Sequence, residues 1–329
     1  EVRLEGAAGA KTIAEEDVPR AGPLGSGVTQ RTVELKVDAK AAGLAEGQAQ
    51  IVVLAQSYAP LSLLRGAKPV LTAPVAVDWT PPTAAVQGTQ HHVTVGGSEL
   101  LTYTASADTA GSGVQVDKYF FPGFPAGLAD PSLHAAIFAV PWDLDTRASV
   151  RLVVWDRAGN RREIPIPLTI KDRKFRAEDM DVSDTFLEQK IPELIARNDL
   201  VAPADPVEAY LLVNRDLRRR SEEQLRQIVH TTSPTALFDG PFRQLPGSQV
   251  GSRFAEQRTY KYKGRVIDRQ THLGYDLASI KHAPVLAANA GTVLYSGNLG
   301  IYGDAIVIDH GLGLATLYAH LSQSSVSPG

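Results

Sequence analysis

The chain has 329 residues, 43% of them apolar, and a formal net charge of −3. It can bury more than one core, and it is too nearly neutral to track a nucleic-acid backbone or an acidic membrane surface. It holds no cysteine, which excludes disulfides and thiolate metal sites, and no apolar run of about 18 residues that would span a membrane.

Residues 1 to 30 are rich in Ala, Gly and acidic side chains, with Ala21-Gly22-Pro23-Leu24-Gly25-Ser26-Gly27 as a turn-rich link. The only methionine is Met180, so the chain does not begin at an initiator residue: either a targeting segment or membrane anchor has been removed from the N-terminus or the chain was trimmed, and the sequence neither shows nor excludes such a segment. Thr32–Asp38 alternates apolar and polar side chains and is expected to be a half-buried strand. Ala49–Ala55 and Pro74–Trp79 are further strands. Short strands between Gly- and Pro-bearing turns predict a β-sandwich module over 1–80.

Thr80-Pro81-Pro82-Thr83 is a stiff joint, because each proline fixes its own φ and restrains the residue before it. Beyond it, His91–Val95, Leu100–Ala105, Ala136–Val140 and Ser149–Trp155 are expected strands of a second module, 81–171. The turn Asp156-Arg157-Ala158-Gly159-Asn160, set between Val153-Val154-Trp155 and Glu163-Ile164-Pro165-Ile166, resembles the last hairpin of bacterial immunoglobulin-like modules. That resemblance implies a spacer or binding surface rather than chemistry. Phe120-Phe121-Pro122-Gly123-Phe124-Pro125 is expected to be a packed loop or domain seam rather than a contact patch.

Lys171–Arg176 is a charged linker, after which the pattern turns helical over 172–246. Ser183 and Asp184 give an N-cap-like start, Phe186, Leu187, Ile191, Leu194 and Ile195 recur at helical spacing, and Pro192 is expected to kink or end the helix. Pro206 opens a second helix. Arg215, Arg218, Arg219 and Arg220 are expected to form a solvated face paired with Glu222 and Glu223.

The segment 247–329 carries the chemistry. In Thr271-His272-Leu273-Gly274-Tyr275-Asp276-Leu277-Ala278, a strand would put His272, Gly274 and Asp276 on one face and Leu273, Tyr275 and Leu277 in a core. A surface hydrogen bond is the ordinary reading of such a pair. An imidazole and a carboxylate on one polar face are also two corners of a zinc site. Pro284–Tyr295 is expected to be strand, turn and strand, and Ala305–Gly311 and Ala315–Ser322 a further hairpin.

Arg253-Phe254, Tyr260, the His-x-x-x-Asp pair, Ala288-Asn289-Ala290-Gly291, Ile308-Asp309-His310-Gly311 and Leu317-Tyr318-Ala319-His320-Leu321-Ser322 occur in an order that resembles the lysostaphin-type, LytM-like zinc metalloendopeptidases of bacterial peptidoglycan. The resemblance covers roughly 250–329 and implies His272 and Asp276 as zinc ligands and His320 as the catalytic histidine. His310 is expected to be structural and His282 solvent-facing. The family takes its third ligand from a later His-x-His pair, and no such pair occurs here; the adjacent His91 and His92 lie far away and alternate across a strand. The expectation is therefore a C-terminally truncated peptidase domain, inactive alone.

The expected whole is mostly β (α+β): two immunoglobulin-like sandwiches, a helical linker and an incomplete antiparallel peptidase domain. The resemblance implies zinc as cofactor, peptidoglycan as substrate and a place in the bacterial cell envelope, periplasmic or extracellular; the near-neutral charge argues for no nucleic acid, and a regulatory protein is an expected partner. Asn289, Tyr302 and Tyr260 are cleft candidates by position. Asn214 or His230 is placed to cover the zinc if the upstream modules are inhibitory. The rival reading is a non-catalytic LytM-like scaffold that activates a cell-wall amidase; an adhesin-like protein rests on the β modules alone.

Overall fold

The computed structural model describes residues 1–17, 32, 34–56, 66–127 and 130–329. They fall into two compact units: Glu1–Pro82 with Asp108–Ala110 and Trp155–Arg162, and Thr83–Ala107 with Gly111–Val154 and Glu163–Gly329. The chain is mostly β. Among the described residues no helix is long and apolar enough to cross a membrane.

The first unit carries one four-stranded antiparallel sheet, ordered β2-β1-β3-β4, from β1 (Val2–Gly6), β2 (Gly9–Ala14), β3 (Gly47–Ala55) and β4 (Lys68–Val77). Leu4, Leu44, Ala49 and Val77 form its core. The strand expected over Thr32–Asp38 does not form: residues 32 and 34–38 have no strand pairing, and Leu35 and Val37 are exposed. Alternation alone gives no strand without a neighbour to hydrogen-bond. Val33 and the link at 21–27 lie outside the described residues.

Next along the chain come β5 (Ala84–Val86), β6 (His91–Thr94), β7 (Ser98–Ala105), β8 (Thr109–Val116), β9 (Tyr119–Pro125), β10 (Leu133–Ala139), β11 (Val150–Asp156), β12 (Arg161–Pro165) and β13 (Leu168–Lys171). A seven-stranded sheet, β12-β11-β8-β9-β10-β7-β5, and the parallel pair β13-β6 enclose Leu101, Tyr103, Val114, Phe138, Leu152 and Val154. The aromatic run 120–125 is strand β9 rather than a loop. Gly123 is required there, since a Cβ would lie 1.8 Å from the Tyr103 hydroxyl. His91 and His92 do alternate, buried and exposed.

After the charged linker comes a strand the sequence reading missed. β14 (Ala177–Asp181) pairs in parallel with β16 (Glu256–Tyr262), which pairs antiparallel with β17 (Arg265–His272). Its acidic composition suits an edge strand, where charge blocks further pairing. Ser183 caps the next turn, its Oγ accepting from Phe186 N at 3.1 Å. The helical run passes through the π-turn Phe186–Lys190 directly into Ile191–Arg197, so Pro192 stands just after the π-turn and does not end the run. Asp205 caps the second helix through Val207 N and Glu208 N, with Pro206 at its start. Pro206–Leu211, the π-turn Leu212–Leu217 and Arg218–Ile228 follow without a break. Tyr210, Val213 and Leu217 pack with Leu187, Ile191 and Ile195 against Tyr260, Tyr262, Ile267 and Ile301. The helical segment is thereby seated on the β16–β17 sheet.

β15 (Gln249–Ser252) pairs with the three-residue β18 (Asp276–Ala278), and β19 (Thr292–Asn298), β20 (Asp304–Gly311) and β21 (Leu314–Leu321) form the last antiparallel sheet. The first strand expected within Pro284–Tyr295 is absent; residues 284–290 are irregular and mostly exposed.

Candidate metal centre

His272 and Asp276 do not share a strand. His272 ends β17 and Asp276 opens β18, which belong to different sheets, and Leu273 and Tyr275 between them are 49% and 58% exposed rather than in a core. The bend brings the two polar groups together without alternation. His272 Nε2 lies 3.3 Å from Asp276 Oδ1, an ion-pair distance without hydrogen-bond geometry. The ring nitrogen is shielded from solvent and has no hydrogen-bond partner.

Glu256 and Arg258 complete this surface. Glu256 stands opposite His272 across the β16–β17 ladder, and Arg258 opposite Gln270, so period-two alternation places all four on one face. Arg258 Nε donates to Glu256 Oε1 at 3.1 Å, and Nη2 donates to Asp276 Oδ2 at 3.0 Å. Burial holds the His272 imidazole below its ordinary value; Arg258 adds to that, and Asp276 and Glu256 oppose it. A neutral ring with an open nitrogen is what a metal requires of histidine.

The donor set fits half of a zinc site. Two ligands at roughly 2.0–2.2 Å from a tetrahedral ion lie ~3.3–3.6 Å apart, which the observed separation matches. Gly274 leaves the space beside the ring free, since a Cβ there would sit 3.9 Å from Nε2. Among the described residues no group of three His, Asp or Glu side chains converges, so His320 does not join the pair. His320 is exposed near the end of β21 with φ +56°, and a Cβ on Gly303 would lie 3.8 Å from its Nδ1.

The other candidates have structural work. His310 is fully buried, with Nδ1 2.6 Å from Ala290 O and Nε2 2.8 Å from Thr316 Oγ1. His282 and His230 are exposed. Asn214 is buried and donates to Asp268 Oδ2 at 2.8 Å while accepting from Arg218 Nη2 at 2.9 Å, so its amide is committed to the helix seat. Asn289 donates to the carbonyls of Asp239 and Gly240, which fastens the incoming strap 232–245. Tyr260 packs 5.9 Å from Tyr210 under the helix. Tyr302 is half-buried, and burial pushes its phenol up.

Residues 270–329 match the model of peptidase family M23. The C-terminal segment is an M23 peptidase domain. The DD-carboxypeptidase/endopeptidase Mpg of Neisseria meningitidis serogroup B is 43% identical over 58 residues, which is 18% of this chain and 14% of that protein, and the Mpg of Neisseria gonorrhoeae gives the same figures. The matched stretch is thus a small part of those relatives. Among solved structures, a putative peptidase M23 from Pseudomonas aeruginosa aligns over 72% of this chain and 77% of its own, at 15% identity and a TM-score of 0.40. The M23 match contains His272, Asp276, His310 and His320. It excludes Glu256 and Arg258, the two site residues that sequence reasoning missed. Their signal was present as an i, i+2 pair of opposite charges upstream of the His-x-x-x-Asp motif.

Proposed function

We propose that the protein is a zinc-dependent endopeptidase that hydrolyses peptide cross-links or stems of bacterial peptidoglycan, in the cell envelope. The observation that carries it is the solvent-shielded, unpartnered Nε2 of His272 facing Asp276 Oδ1 at 3.3 Å within the M23 match. The name of the Neisseria relatives, a DD-carboxypeptidase/endopeptidase, supports peptide-bond hydrolysis as the reaction class.

When bound, zinc would supply Lewis acidity and lower the pKa of a water toward about 7. His272 offers the Nε2 lone pair and Asp276 offers Oδ1, while Arg258 occupies Oδ2. His320, to which the family resemblance assigns the catalytic role, would orient a water and stabilise the charge that grows on the scissile carbonyl oxygen. The half-exposed Asp276 leaves the pair open toward solvent, where a peptide can approach.

A second reading, a non-catalytic scaffold that activates a wall amidase, is favoured by one fact: among the described residues no third ligand meets the pair. Elemental analysis together with release of new amino groups from purified peptidoglycan separates the two. About one zinc per chain, with hydrolysis lost in His272→Ala, supports the peptidase. A chain that takes up no zinc and leaves the polymer intact supports the scaffold.

A further inference from the structure

Arg258 joins two carboxylates of different character. Glu256 is 0% exposed at its side chain, and a carboxylate so buried is strongly disfavoured unless it is paired. Its Oε1 takes Arg258 Nε at 3.1 Å; its Oε2 has no hydrogen-bond partner and meets Arg176 Nε only at 3.8 Å. For stability alone, an apolar residue of similar volume would serve as well at position 256. Asp276 is the opposite case: 53% exposed, on a three-residue strand that pairs only with β15. An exposed carboxylate on so short a strand has little to fix its rotation. The guanidinium, 14% exposed, ties it to the rigid β16 of the neighbouring sheet.

We propose that Arg258 is a positioning residue for metal binding: anchored on buried Glu256, it holds Asp276 so that one oxygen alone, Oδ1, is presented beside His272 Nε2. The inference rests on reading His272 and Asp276 as metal ligands. With Oδ2 engaged at 3.0 Å, Asp276 is restricted to single-oxygen coordination. The trio Glu256, Arg258 and Asp276 keeps one net negative charge to face a divalent cation, and the guanidinium withdraws density from the coordinating carboxylate. Lysine cannot take this place, because a single ammonium lacks the planar fork that reaches two carboxylates along two edges.

The test uses Arg258→Lys and Glu256→Gln in the full chain. Zinc affinity is measured by competition with a chromophoric chelator, and the visible spectrum of the Co²⁺-loaded protein is recorded at saturating metal. Both variants are expected to bind zinc about 10–100-fold more weakly than the parent, as outer partners of metal ligands do, with a shifted cobalt spectrum and a melting temperature in chelator close to that of the parent. Parental affinity and spectrum in folded variants would overturn the proposal, as would failure of both variants to fold, which would make the bridge a structural ion pair. If the parent chain binds neither metal, the ligand reading of His272 and Asp276 fails on its own. The metal-free crystal structure of Arg258→Lys then decides the positioning claim. Asp276 Oδ1 still beside His272 Nε2 would overturn it, and a carboxylate turned away would sustain it.

Discussion

Two histidines of the C-terminal domain sit in contrasting surroundings. His310, in the middle sheet strand β20, has a carbonyl on Nδ1, a hydroxyl on Nε2 and the Phe242 ring edge-on at 4.8 Å. His272, at the end of β17, has a shielded Nε2 with no hydrogen-bond partner. A buried polar atom left unpaired costs about 1–3 kcal/mol, so a fold retains one only against a penalty. His310 is therefore part of the fold's hydrogen-bond inventory, and His272 Nε2 is held in reserve for something else. Burial alone would rank them the other way, since His310 is the more enclosed.

The contrast can be broken most forcefully at position 310. His310→Ala strands Ala290 O and Thr316 Oγ1 and opens a void beside Phe242, and it is expected to cost about 2–4 kcal/mol by urea unfolding. A loss below about 1 kcal/mol would mean that the ring is not the tie between β20 and the Ala-Asn-Ala-Gly turn. Asp309 beside it belongs to the same fabric, accepting from Thr232 Oγ1 at 2.6 Å and Ser233 N at 2.8 Å.

Asp268 sharpens the comparison from the His272 side, because it shares the polar face yet is fully engaged. Burial opposes its charge, but Gln270, Arg215 and Asn214 outweigh burial and hold its carboxyl below the usual carboxylate range. Asp268→Ala should cost about 1–3 kcal/mol, since it leaves the buried Asn214 amide without its acceptor. The pH dependence follows from the direction of the shift. A depressed folded-state pKa gives stability that is fully present above the unfolded value, near 3.9, and is lost as pH falls through the folded value. The stability gap between the parent and Asp268→Asn should stay level from pH 5 to 8 and close below about pH 4. A gap that already narrows between pH 7 and 5 would point to another titrating group.

Sequence made the M23 domain legible because its motifs are local: His-x-x-x-Asp, Ile308–Gly311 and Leu317–Ser322 each lie within one turn or strand. The split of His272 and Asp276 between two sheets was hidden, since apolar alternation through Leu273 and Tyr275 suggests one continuous strand. Glu256, Arg258 and β14 were missed for a different reason. Their meaning depends on register, and Glu256 opposite His272 or Glu178 beside Arg258 is a pairing that no spacing within one strand displays. Nor could spacing reveal that the amide of Asn214 is taken by Asp268, 54 residues away.

His272→Ala carries the smallest expected effect on stability and the most decisive one on chemistry. Removing the ring discards a shielded nitrogen that makes no hydrogen bond and only faces Asp276 Oδ1 at 3.3 Å, so the lost packing is offset by relief of the penalty for that atom. Measured in chelator, the variant should unfold within about 1 kcal/mol of the parent, well inside the change at His310. Metal should tell the reverse story: under the proposed zinc reading, added zinc should stabilise the parent, and that increment should vanish in His272→Ala while surviving in any His310 variant that still folds. A variant that loses stability equally with and without zinc would place His272 in the same structural class as His310. The open nitrogen would then be a tolerated defect of the strand end, and Asp276 would have no partner in holding a metal.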